Sequence, residues 1–338
     1  MSILGVKLSD LTARLSDVWD FLLPFGTDSR LHWTGLSAFL IIGSCVYLAK
    51  RRTLSRDGYT GIQNFLVPTQ LYRTASSWLD VKIYFANKIF APLNSLVFLT
   101  VFSGCAAGIL SLASATPSAE DTGSASLWPL ILATLLSALA TDLAYYFTHR
   151  ASHEVSWLWP FHKVHHSAEV LTPLTAKRNH PVFDLLLKAV TGLLGGTMAG
   201  IIFALTGTYE LHAMLGLGAF ILLFNLMGGA LRHSHIWLDY GPVLDRIFIS
   251  PAQHQIHHSR APRHHDRNYG LIFALWDWAF GTLYIPDGQE KLEFGIADSL
   301  GQAEAQPHNS LVDAYTVPFR EAASMLSVPR MSRQETGS

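Results

Sequence analysis

Long apolar runs alternate along this chain with short polar stretches rich in histidine. Five runs approach or exceed the roughly 20 residues an α-helix needs to cross a bilayer core: 33–49, 89–113, 127–148, 185–207 and 211–231. The first is short, and the third carries one acid, Asp142. Ahead of them Leu4, Leu8, Leu11, Leu15, Val18 and Leu22 recur every three or four residues, interrupted by Asp10, Arg14, Asp17 and Asp20. That pattern predicts an amphipathic helix on a membrane surface and does not suit a signal peptide. The expected fold is all-α, an integral membrane helical bundle of four to five spans with a cytosolic histidine-rich helical cap.

Composition agrees. Hydrophobic residues make up 49% and charged residues only 14%, against about 25% charged in ordinary soluble domains. A net charge of −1 argues against a nucleic-acid partner, which needs a strongly basic face. Cys45 and Cys105 sit inside apolar runs and make no disulfide framework. Lys50, Arg51, Arg52, Arg56, Arg73, Lys82 and Lys88 follow the first run, whereas 114–126 holds no Lys or Arg. That bias places 50–88, 149–184 and 232–338 in the cytosol. The expected location is a bacterial inner membrane or, in a eukaryote, the endoplasmic reticulum.

The histidines, 16 in all, are ordered. His149 and His153 form H-x-x-x-H; His162, His165 and His166 form H-x-x-H-H; His233 and His235 form H-x-H; His254, His257 and His258 repeat H-x-x-H-H. All lie at or beyond the cytosolic ends of the third and fifth runs. Positions i, i+3 and i+4 share a helix face, so each triad can aim its three imidazoles at one point. Pro160 predicts a break between the first pair and the first triad. This is too many imidazoles for one ion, since a zinc site takes four protein ligands or fewer. Two metals of five or six coordination would use eight to ten. No Glu has a His three residues later, which sets the chain apart from carboxylate-bridged di-iron proteins. His153-Glu154 does not continue as H-E-x-x-H. Spacing leaves iron, zinc and copper open.

Asp142 lies two helical turns before His149 and is expected to accept the second N–H of a metal-bound imidazole; Asp266 and Asn268 are similar candidates. His32, His212 and His308 stand alone, and His264 and His265 fall in a basic loop suited to lipid headgroups. Two other functions fit a histidine-rich membrane protein. A metal transporter with a cytosolic histidine cluster would show polar midplane residues and matching halves, and a haem protein would carry axial histidines within its spans.

Taken together, THRASHE (148–154), FHKVHHSAE (161–169), RNHPVFD (178–184), RHSHI (232–236), SPAQHQIHHSRAPRHHDRNYG (250–270) and WDWAFGTLY (276–284) resemble the fatty acid hydroxylase/sterol desaturase superfamily of membrane di-iron enzymes. The endings are most similar to the alkylglycerol monooxygenase branch and its bacterial relatives. The resemblance covers about 127–285. It implies two iron ions, O2 as co-substrate, and hydroxylation or desaturation of a lipid. Electrons would come from a separate ferredoxin- or cytochrome b5-type protein, with tetrahydropterin as the alternative reductant. It implies metal ligation by His149, His153, His162, His165, His166, His233, His254, His257 and His258. His235 is a tenth candidate, at a position where many relatives carry a non-ligand, and His180 sits in the Asn-His-Pro element. The chain then divides into a surface segment (1–32), two spans with their loops (33–126), the hydroxylase-like unit (127–285) and a polar tail (286–338).

Overall fold

The computed structural model describes residues 2–3, 6–7, 33–56, 58–113, 127–206 and 222–327. Apart from Ser2–Ile3 paired with Val6–Lys7, its regular elements are helical. The surface helix expected over 4–22 lies outside the described residues except at 6–7, which are extended.

Helix α1 (Trp33–Arg56) covers the first predicted span. Helix α2 (Ala75–Asn87) starts at Thr74, whose Oγ1 accepts the Ser77 amide at 3.1 Å. A 3-10 turn, Lys88–Phe90, joins it to α3 (Ala91–Leu112). Then come α4 (Leu127–Glu154), α5 (Trp159–His166), α6 (Pro181–Thr206), α7 (Pro251–His257) and α8 (Leu311–Ser327).

Among the described residues, three helices are long and apolar enough to cross a membrane: Ala75–Leu112, Ile131–Glu154 and Pro181–Leu205. The first, at 38 residues, reaches about 57 Å, nearly twice the hydrocarbon core. The first predicted span is helical but does not meet the same standard; its Phe39 packs with Phe65, Leu231 and Ile236. Of the fifth, 211–221 lie outside the described residues, 222–226 are α-helical and Gly229–Leu231 form a 3-10 turn.

Gly192, Gly196 and Gly200 bring α6 against α3 backbone to backbone. A Cβ at Gly196 would stand 2.3 Å from the Phe102 carbonyl oxygen, and one at Gly200 2.9 Å from that of Ala106. Small residues at this spacing let membrane helices gain close van der Waals contact where no hydrophobic drive exists between them. Outward, Leu96, Leu99, Leu132, Leu135 and Leu205 are exposed, an apolar surface that suits lipid.

α4 ends and α6 begins at one end of the bundle, and α5 lies between them. Pro160 falls in the first turn of α5, after a break at 155–158, as its position predicts. A capping box of Ser250 and Gln253 starts α7. The tail is not simply a polar extension. Ala314, Pro318 and Ala322, four residues apart, form the buried face of α8, which packs on α5. Lys163 pairs with Glu321 at 2.6 Å, and Gln306 Nε2 donates to the Ser167 carbonyl at 2.6 Å. Small residues at helical spacing carry this packing, and a count of charges does not register them.

Candidate metal centre

Nine of the histidines meet where α4 ends and α6 begins, in two groups. His149, His153, His162, His166 and His257 form one; His165, His233, His254 and His258 form the other. Within each group the potential ligand nitrogens all lie within 4.8 Å of one another. The triads do not each serve one point, as spacing alone suggests; both are split. On α5, His162 and His166 face the first group and His165 the second. On α7 the arrangement is exchanged: His254 and His258 face the second group and His257 the first. Helical geometry accounts for this. At about 100° per residue, i and i+4 point about 40° apart, while i+3 and i+4 diverge by about 100°.

In the second group, His233 Nε2 is 3.2 Å from His165 Nε2 and 3.1 Å from both His254 Nε2 and His258 Nε2. Nitrogens bound about 2.1 Å from a common ion stand roughly 3.0–3.4 Å apart, so these spacings fit a shared metal. In the first group, Nε2 of His153, His162, His166 and His257 is buried without a hydrogen-bond partner. Buried polar atoms in native proteins are normally satisfied. A metal ion would satisfy all four at once. Burial also holds the pKa values of His162, His166 and His258 well below the ordinary range and that of His257 down to about 4. Neutral imidazole is the form that binds metal. The residues fit two ions, held by nitrogen alone.

Backbone carbonyls set the ring orientations. His149 Nδ1 donates to the Tyr269 carbonyl at 2.7 Å, and His257 Nδ1 donates to that of Arg267 at 2.8 Å. A carbonyl only accepts, so in the neutral rings the proton stays on Nδ1 and the Nε2 lone pair remains for a metal. Asp266 and Asn268 take left-handed backbone conformations (φ 58° and 57°) that turn this loop. The Asp277 carboxylate accepts the Tyr269 and Gly270 amides, both at 2.8 Å, and the Thr282 hydroxyl at 2.6 Å.

Asp142 does not bond a histidine. Its buried carboxylate accepts the Ile272 and Phe273 amides at 2.8 and 3.2 Å and the Trp276 indole N–H at 3.0 Å. The correction is one of distance: Asp142 ties α4 to the loop whose carbonyls hold the ligands. Asp266 accepts the Tyr269 hydroxyl at 3.0 Å and lies 3.8 Å from His153 Nδ1. Asn268 bridges Gln253 of α7 and Tyr284.

Two sequence candidates stand apart from both groups. His235 turns away, its Nε2 donating to the Phe65 carbonyl at 2.6 Å and its ring stacked on Tyr59. His180 accepts the Val182 amide on Nδ1 and donates from Nε2 to the Tyr315 carbonyl, so both its nitrogens are used. His264 is buried 3.1 Å from Glu290, which corrects the headgroup assignment; its neighbour His265 is exposed. His308, which stands alone in the sequence, is buried. His32 and His212 lie outside the described residues.

Sequence reasoning gave no role to Arg178. It is fully buried, pairs with buried Asp80 at 3.0 Å, and donates to the Val164 carbonyl and the Ser167 hydroxyl. It thus clamps α2 to the end of α5 that bears His165 and His166.

Residues 134–282, which contain both histidine groups with Asp142, Arg178 and Asp277, match the fatty acid hydroxylase family model. The match covers somewhat less than half of the chain. The chain is 31% identical to an alkylglycerol monooxygenase of Danio rerio over 50% of its own length and 34% of that protein. It is 29% identical to an ornithine lipid hydroxylase of Rhizobium tropici over 52% and 49%. To a very-long-chain aldehyde decarbonylase of Oryza sativa it is 32% identical over 46% and 24%. The chain thus spans half or less of the length of these relatives. No solved structure matches it.

Two cavities approach the histidine groups. One, of about 420 Å³, opens among polar cap residues and touches His153, His166, His257 and His258. The other, of about 340 Å³, lies among α2, α3, α4 and α6 and touches His162 and His165, one from each group.

Proposed function

We propose that the protein is a membrane-bound oxygenase that uses O2 and two iron ions to hydroxylate or desaturate a lipid. The observation that carries this reading is the pair of all-histidine groups within the segment that matches the fatty acid hydroxylase family, reached by a cavity between membrane-crossing helices. Imidazole donors alone suit several metals; the family favours iron.

When bound, the metal pair supplies the O2 activation that protein side chains cannot. Hydroxylation consumes O2, two electrons and two protons, places one oxygen in the C–H bond and releases water. Desaturation consumes the same inputs, removes two hydrogens and releases two waters. The electrons come from a separate ferredoxin- or cytochrome b5-type protein, or from a tetrahydropterin.

The chain's own residues position and insulate. The Tyr269 and Arg267 carbonyls keep a proton on Nδ1 of His149 and His257 and so hold Nε2 toward the first group. Asp142, Asp277 and the Arg178–Asp80 pair fix the loop and helix that carry the ligands. A cavity among spanning helices lets a lipid reach His162 and His165 from the membrane, while the polar cavity serves the cytosolic side.

The test is lipid mass spectrometry on cells making the parent or a His162→Ala variant, grown under 18O2. The expected result is a lipid that gains one labelled oxygen or loses two hydrogens only with the parent. An identical lipid profile with and without functional protein contradicts the reading.

A further inference from the structure

The membrane-side cavity differs in charge from its cytosolic counterpart. Its lining includes Lys88, Lys177 and Lys188, against one carboxylate, Asp184. Asp184 accepts from Asn179 Nδ2 at 3.0 Å and interacts electrostatically with Lys177 and Lys188, so it offsets part of this charge and leaves a smaller basic excess. The cytosolic cavity is balanced toward acid, with Lys163 and Arg260 beside Asp266, Asp298 and Glu304. A basic excess therefore belongs to one cavity and is not a general property of this face.

Lysines at a membrane interface commonly anchor a helix to headgroups. These three arise from separate elements: the turn after α2, the 3-10 helix Pro173–Lys177, and α6. They converge on one cavity whose wall includes His162 and His165. Lys188 sits two turns into α6, with Nζ 5.9 Å from the centre of the Phe98 ring on α3. A lysine so placed can lay its stem on apolar surface while its charge stays at the polar edge.

We propose that this cavity takes the acidic headgroup, phosphate or carboxylate, of the lipid substrate. The inference rests on the reading of the protein as a lipid oxygenase. The three ammonium groups offset the anion's charge, and the acyl or alkyl chain leaves the cavity along the apolar surfaces of α3 and α6.

The experiment uses the full-length, metal-loaded protein in uncharged detergent, without O2. Binding of dodecyl phosphate, laurate and uncharged 1-dodecylglycerol is measured by calorimetry, with inorganic phosphate as competitor. The expected result is that both anions bind at least about tenfold more tightly than the glycerol ether, the scale of one charge-assisted hydrogen bond. Lys177→Gln and Lys188→Gln should each remove about that factor for the anions only, with metal content unchanged, and Lys177→Arg should restore it. Equal binding of the uncharged ligand, or parent-like affinity in both Gln variants, overturns the proposal. Displacement by inorganic phosphate at the same affinity overturns the assignment to a lipid. Because no turnover is read, loss of the oxygenase reading would leave this selectivity in place. Equal binding would conversely leave O2-dependent product formation untouched.

Discussion

The carbonyl oxygen of Tyr269 lies 2.7 Å from Nδ1 of His149, while the amide of the same residue donates to Asp277 at 2.8 Å. One residue thus joins a histidine of the first group to a buried carboxylate. Asp142 anchors the following stretch through the Ile272 and Phe273 amides. The orientation of the His149 ring therefore depends on acids that do not hydrogen-bond to it.

Asp142→Asn is expected to lower metal affinity about 10–100-fold, the usual range for groups that orient ligands. The amide keeps one acceptor oxygen but turns an NH2 toward donors that need an acceptor. Trp276→Phe, which removes one of three donors and leaves the carboxylate intact, should lose much less. Metal titration of both variants checks this. Parent-like affinity in Asp142→Asn would reduce Asp142 to an ordinary buried acid.

Arg178→Met leaves Asp80 buried without its cation, a change that costs about 3–5 kcal/mol in comparable sites. Because Arg178 also holds the Val164 carbonyl and the Ser167 hydroxyl, the variant should melt earlier and bind less metal. Replacing both partners, Arg178→Met with Asp80→Leu, should recover stability better than metal binding. Thermal melts with metal analysis distinguish the two effects.

Much of this was legible in the sequence, for definable reasons. Long apolar runs announce α3, α4 and α6, and Pro160 announces the break before α5. Nine histidines at recurring spacings do meet. Spacing could not reveal that His165 and His257 cross to the other group, because it gives a helix face and not what that face meets. Asp142 was found, but its partners lie about 130 residues away and are backbone amides, which leave no trace in composition. His235 matched the pair spacing with His233, yet this segment forms turns rather than a helix, so spacing there carries no direction. The Arg178–Asp80 pair joins elements nearly a hundred residues apart, and no local pattern marks it.

Acid should weaken the metal-free protein. Burial holds His180 down to about 4 and His308 to about 3, against about 6.5 for a free histidine. Between these values the unfolded chain takes up protons that the native imidazoles refuse. Stability due to these two groups is therefore constant above about pH 6.5 and declines as pH falls toward 4. The slope is at most about 1.4 kcal/mol per pH unit for each group. Melting temperatures of the chelator-treated protein from pH 8 to 4.5 should show the decline, and His308→Gln should make it shallower. A flat profile would mean that these rings are not buried neutral.

Two histidine groups built to hold two metal ions fix the metal load of the protein. Elemental mass spectrometry of anaerobically purified, active protein measures it most directly. The expected result is close to two iron atoms per chain, unchanged in His235→Ala and reduced in His254→Ala, which opens the second group. One metal or none per chain in active protein would contradict it.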